Sequence, residues 1–118
     1  MDKVWEALCE LRVPLQQGEY DLHRMVMDCL EAHGLPYEHE KRLAPRCRID
    51  LLSAGVGIEI KRGKPEKARL LEQLKRYAAC EAVQALIVVC ERHVDVPRAI
   101  GRKPVRLLCL NRLWGIAL

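Results

Sequence analysis

The 118-residue chain carries a net charge of +4 and is 50% hydrophobic and 31% charged, the composition of one soluble globular domain with room for a single core. No apolar run approaches the roughly 20 residues of a membrane span, and Met1-Asp2-Lys3-Val4-Trp5-Glu6 lacks the basic region and apolar core of a signal peptide. A cytoplasmic protein without membrane association is therefore expected.

Six cysteines without a CxxC pair and four histidines without zinc-ligand spacing argue against a zinc site or a disulfide framework. Most of the cysteines fall in apolar-periodic segments, so buried free thiols in a reducing compartment are expected. The modest positive charge is compatible with a polyanionic partner and decides nothing by itself.

Taken in order, Val4, Trp5, Leu8 and Leu11 have helical spacing, which predicts a helix over residues 2 to about 12 that Pro14 ends. A second helix follows, beginning at Glu19. Its apolar residues Leu22, Met25, Val26, Cys29 and Leu30 recur at i, i+3, i+4, i+7 and i+8, and Gly34 with Leu35-Pro36 closes it. Glu19 stands on the edge of the apolar stripe, where an acid in the first helical turn is also favoured by the macrodipole alone. His23, one turn on, is either a phosphate contact or a capping, partly buried histidine.

Tyr37 to Leu43 is expected as a first strand, with Glu38 and Glu40 on one face and Tyr37, His39 and Lys41 on the other. Arg48 to Lys61 then reads as a hairpin turning at Ala54-Gly55. Cys47, Ile49 and Leu51 alternate with Arg48, Asp50 and Leu52; Val56, Ile58 and Ile60 alternate with Gly57, Glu59 and Lys61. With Ser53 facing Val56, Leu51 opposes Ile58 and Asp50 opposes Glu59. Facing carboxylates lie roughly 4.5–5.5 Å apart at Cβ, a pairing that destabilises unless neutralised. A divalent cation neutralises it, and one or two carboxylates are how Mg²⁺ is usually held. Lys61 projects to the same face, placed to orient or deprotonate a water or to stabilise charge on a phosphoryl group. Lys41, Arg42, Arg46 and Arg48 precede the acids, and Lys61, Arg62, Lys64, Lys67 and Arg69 follow them. Such flanks fit a phosphate backbone, or equally a solvated charged surface.

Pro65 suits the first position of a helix, expected over Glu66 to Glu81 with Leu70, Leu71, Leu74 and Ala78 buried. Gln73 and Tyr77 stack on one face at i, i+4. The unbroken apolar run Ala85 to Cys90 predicts a strand buried on both faces, joined to the hairpin by a helical crossover. Residues 95–104 read as a loop or short helix, and Val105 to Leu110 as a last strand. Trp5 and Trp114 are expected as core or dimer contacts.

Ile49-Asp50-Leu51, Glu59-Ile60-Lys61 and Gln73-Leu74-Lys75-Arg76-Tyr77, in that order, resemble the PD-(D/E)xK nuclease superfamily in its RecB-like and Holliday-junction-resolvase-like branch. The resemblance covers roughly positions 19 to 90 of what reads as a single domain, 1–118; the proline before the first acid is replaced by Ile49. It implies an α/β, restriction-endonuclease-like core, α-β-β-β-α-β, with a central mixed sheet flanked by helices, an order that the periodicity also gives. It further implies that Asp50, Glu59 and the Ile60 carbonyl hold Mg²⁺ or Mn²⁺ while Lys61 positions or activates the attacking water. Glu19 is the expected third acid, with Glu40 as rival, and Gln73, Tyr77, Arg48 and Arg62 are the expected substrate contacts, the glutamine bonding a phosphate or water and the tyrosine stacking on a nucleotide. The activity implied is hydrolysis of DNA by a homodimer, directed by DNA structure or by a partner protein. Two other readings stand beside it: a nucleic-acid-binding module on the same fold without cleavage, and an α/β interaction subunit whose Glu59 and Lys61 are merely a polar strand face.

Overall fold

The computed structural model describes residues 1–12 and 21–110. In chain order these form α1 (Asp2–Leu8), α2 (Leu22–Ala32), β1 (Glu38–Ala44), β2 (Cys47–Ser53), β3 (Val56–Lys61), α3 (Lys67–Ala78), β4 (Ala85–Cys90), β5 (Ala99–Ile100) and β6 (Lys103–Cys109). The strands make one mixed sheet in the order β1-β2-β3-β4-β6-β5. The first three strands are antiparallel neighbours, whereas β3–β4 and β4–β6 are parallel. The chain therefore folds as mixed α/β, with the β3–α3–β4 crossover that parallel pairing requires.

Helices cover both faces. The apolar stripes of α1 and α2 (Val4, Leu8, Leu22, Val26, Leu30) pack on Leu51, Val56, Ile58, Ile60, Ile87 and Val89. On the other face Leu70, Leu74, Tyr77 and Ala78 of α3 pack on Ile49, Leu52, Leu86, Val88 and Val105. All six residues of β4 are buried because both its faces are covered. Trp5 is half-buried against the α1–α2 core, and the Arg106 guanidinium sits 4.8 Å from its ring centroid. No helix among the described residues is long and apolar enough to cross a membrane, and all six cysteines are free, with Cys47, Cys90 and Cys109 buried.

Local chemistry fixes the helix ends. Asp21 caps α2, its carboxylate accepting the Arg24 N–H, and Glu66 caps α3 by accepting from Ala68 and Arg69. Pro65 thus precedes the cap and does not occupy the first helical turn. Residues 95–104 contain the two-residue strand β5 and the start of β6, not a helix. Glu19, Pro14 and Trp114 lie outside the described residues.

The hairpin turns where expected, with Ser53 opposite Val56 and Leu51 opposite Ile58. Further along it departs from simple alternation. Ile49 packs under α3 whereas Leu51 packs under α1 and α2, so these two do not share a face as period two demanded. The break falls at Asp50. The β2–β3 ladder stops at Leu51–Ile58, and the β1–β2 ladder omits Glu40 and Asp50, Glu40 holding a φ of 52°. An irregularity of this kind re-aims a side chain out of the regular pleat.

Candidate active site

Asp50 uses that irregularity. Its Oδ2 accepts the backbone N–H of Ile60 at 2.7 Å, a donor that a regular ladder would have given to a carbonyl. The acid is thereby pinned to the segment carrying Glu59 and Lys61, but it does not stand squarely opposite Glu59 as the regular register required.

Period two in β3 sends Ile58 and Ile60 into the α1–α2 core and Glu59 toward α3, where it is only 4% exposed. Two partners meet it there. The Lys61 ammonium lies 2.9 Å from Oε2, and the Tyr77 hydroxyl donates to Oε1 at 2.9 Å. Tyr77 also reaches the Arg48 carbonyl at 3.2 Å, so its single proton is shared between a strand β2 acceptor and a strand β3 acceptor. Burial first, and the nearby Asp50 carboxylate second, push Glu59 above the usual carboxylate range, while Lys61 and Tyr77 pull it back down. Burial, followed by Glu59, raises the Tyr77 hydroxyl far above its ordinary value, so it acts as a hydrogen-bond donor and not as an acid.

This revises one expected substrate contact. Tyr77 is 4% exposed, so its ring packs in the core under α3 and is not available to stack on a nucleotide. The signal was present in the spacing: Leu70, Leu74, Tyr77 and Ala78 form one i, i+4, i+7, i+8 stripe. Gln73 is half-buried, and its side chain makes no hydrogen bond among the described residues. Arg48 is exposed, its guanidinium 3.4 Å from Glu40. Glu40 therefore faces outward on the edge strand and does not join Asp50 and Glu59. Arg62 lies 3.7 Å from Glu91, whose carboxylate also accepts the Gly63 N–H. That glutamate ties the loop after Lys61 to the end of β4, a role that no local pattern around position 91 signals.

Among the described residues no group of three or more His, Cys, Asp or Glu side chains is arranged to hold a metal ion. The acidic donors brought together are two, Asp50 and Glu59. Compared with known proteins, the chain matches no family model, no curated protein and no solved structure.

Proposed function

We propose that the chain is a metal-dependent nuclease of the PD-(D/E)xK type that hydrolyses DNA phosphodiester bonds, directed by DNA structure or by a partner protein. The observation that carries this is the meeting of Lys61 with Glu59 at 2.9 Å, beside an Asp50 bound to the backbone between them. A buried carboxylate whose pairing with Lys61 is opposed by burial and by a second acid is a poor arrangement for stability alone and a good one for receiving a cation. The antiparallel β1-β2-β3 meander, the parallel crossover to β4 and the helices on both faces also support the restriction-endonuclease-like core.

The donor set fits a hard ion: Asp50, Glu59 and the Ile60 carbonyl would hold Mg²⁺ or Mn²⁺ with the remaining positions left to solvent and phosphate. Bound there, the ion supplies Lewis-acid stabilisation of charge on the phosphoryl oxygens. The chain's own groups do the rest. Lys61 holds a proton next to the attacked phosphate and orients the nucleophile; Tyr77 fixes the rotamer of Glu59; Asp50 fixes the Ile60 backbone. A homodimer would present two such sites to two strands.

A second reading, a binding module without cleavage, is favoured by one fact: both Glu59 oxygens already have partners, and no third acid joins them among the described residues. Incubation with plasmid, linear, single-stranded and four-way-junction DNA in Mg²⁺, Mn²⁺ or EDTA separates the two. Metal-dependent nicking that disappears in Lys61→Ala supports the nuclease. Salt-sensitive binding without cleavage in any metal supports the binding module and sinks the nuclease.

A further inference from the structure

We propose that the cleft between the β3–α3 and β4–β5 connections is a phosphate subsite, in which Lys64 and Lys67 take a backbone phosphate of the nucleic-acid strand close to the one at Lys61. The position assigned to that phosphate rests on the nuclease reading, whereas the chemistry of the cleft does not. The cleft has a volume of about 400 Å³ and lies between Lys64-Pro65-Glu66-Lys67 and His93-Val94-Asp95. Both segments leave the carboxyl ends of neighbouring parallel strands, β3 and β4, the place where open α/β sheets take ligands. Pro65 and Val94 are buried and give the cleft an apolar lining.

The charges in the cleft are not equivalent. The Glu66 carboxylate accepts from Ala68 and Arg69 at 3.3 and 3.0 Å, so the helix end is already closed and is not itself the site. Asp95 lies 3.0 Å from His93 Nε2, which occupies that acid and orients the imidazole. Lys64 and Lys67, both exposed, form no direct salt bridge among the described residues; the Asp95 carboxylate, held below its usual range first by His93, also feels Lys67 and Lys64 across the cleft. Two ammonium groups in no direct ion pair above a lined cavity match a phosphodiester, which lysine binds as a point charge.

The chain also sets the distance. Lys64 follows Lys61 by three residues, so their Cα atoms are at most about 10 Å apart. The phosphate taken is therefore one a few nucleotides at most from the cleaved one on the same strand, at a rise of about 3.4 Å per nucleotide and with the reach of the two lysine side chains added.

Binding measured in EDTA, so that nothing is cut, tests this with labelled single-stranded and duplex oligonucleotides. The full chain is compared with a Lys64→Ala, Lys67→Ala double variant and with Lys64→Arg, Lys67→Arg. Loss of the phosphate that the two lysines share is expected to weaken binding about tenfold at moderate salt. It is also expected to flatten the slope of log K against log salt by about 0.7–0.9, the value for one neutralised phosphate; the arginine pair restores both. If the alanine pair does not fold, a glutamine pair replaces it with the same expected slope. An unchanged slope in a folded variant overturns the cleft, as does the absence of nucleic-acid binding by the unaltered protein. Lysine-dependent binding of inorganic phosphate with oligonucleotide affinity unaffected moves the ligand to a free anion and overturns the strand assignment. The two readings fail separately: a lysine-dependent slope without cleavage in any metal removes the nuclease and keeps the cleft, and cleavage with a lysine-independent slope does the reverse.

Discussion

Tyr77 of α3 and Glu59 of β3 are 18 residues apart in sequence and share a buried hydrogen bond of 2.9 Å. Through it the crossover helix holds the acid that Lys61 also touches, so packing of α3 and geometry of the site are one structural event. Tyr77→Phe keeps the ring and removes the hydroxyl, leaving a buried carboxylate one donor short. It should cost about 1–3 kcal/mol and lower the cleavage rate more than substrate affinity. Urea unfolding alongside single-turnover cleavage checks both; an unaltered rate in the variant would show that the hydroxyl does not position Glu59.

Asp50 has two separable jobs. Asp50→Asn retains an oxygen to accept the Ile60 N–H, so stability should stay near that of the parent, whereas Asp50→Ala orphans a buried donor at about 1–3 kcal/mol. Both variants should lose cleavage, and both should bind DNA as well as or better than the parent, because a negative charge has left the groove. Loss of DNA binding in a folded Asp50→Asn protein would count against the site. Denaturant midpoints with filter or fluorescence binding provide the comparison.

Glu59→Gln removes a buried charge that Asp50 opposes and keeps an acceptor for Tyr77. We expect an unfolding midpoint equal to or above that of the parent at neutral pH, with cleavage abolished. This is the trade between stability and activity that strained sites show. A variant markedly less stable than the parent would mean that the Lys61 contact outweighs the desolvation of Glu59.

His33 supplies a pH dependence away from the site. Its Nδ1 lies 2.9 Å from the Cys29 carbonyl and its Nε2 3.2 Å from Glu10. Both contacts require N–H donors, which only the protonated ring provides. The Cys29 carbonyl, and then Glu10, accordingly raise its pKa above the ordinary histidine value of 6.5. A folded-state pKa above the unfolded one gives stability that is fully present below 6.5 and lost as pH rises through the folded value. Denaturation midpoints of the parent should therefore fall relative to those of His33→Gln as pH is raised from below 6.5 into the alkaline range. A constant difference between the two proteins would refute the linkage.

Much of this fold is legible in the amino-acid order. The unbroken run Ala85–Cys90 predicts the strand covered on both sides that it forms, and the stripes of α2 and α3 announce their helices. Ser53 opposite Val56 follows from the turn at Ala54-Gly55, where φ is positive at both residues. These features are local: they depend on periods of 2 and 3.6 and on turn chemistry within a few residues.

What the sequence determined by itself was therefore every element except β5, the hairpin turn and the presence of Asp50, Glu59 and Lys61 on two neighbouring strands. Tertiary structure alone decided that the ladder breaks at Asp50, that its carboxylate takes the Ile60 N–H, and that the Tyr77 hydroxyl meets Glu59. The reason is physical. Alternation assumes an unbroken pleat, and only the packing of α1 and α2 on one face against α3 on the other fixes where β2 must shift Ile49 and Leu51 to different cores. Once it does, the polar groups left at the break must find partners across the sheet, and those partners are distant in sequence.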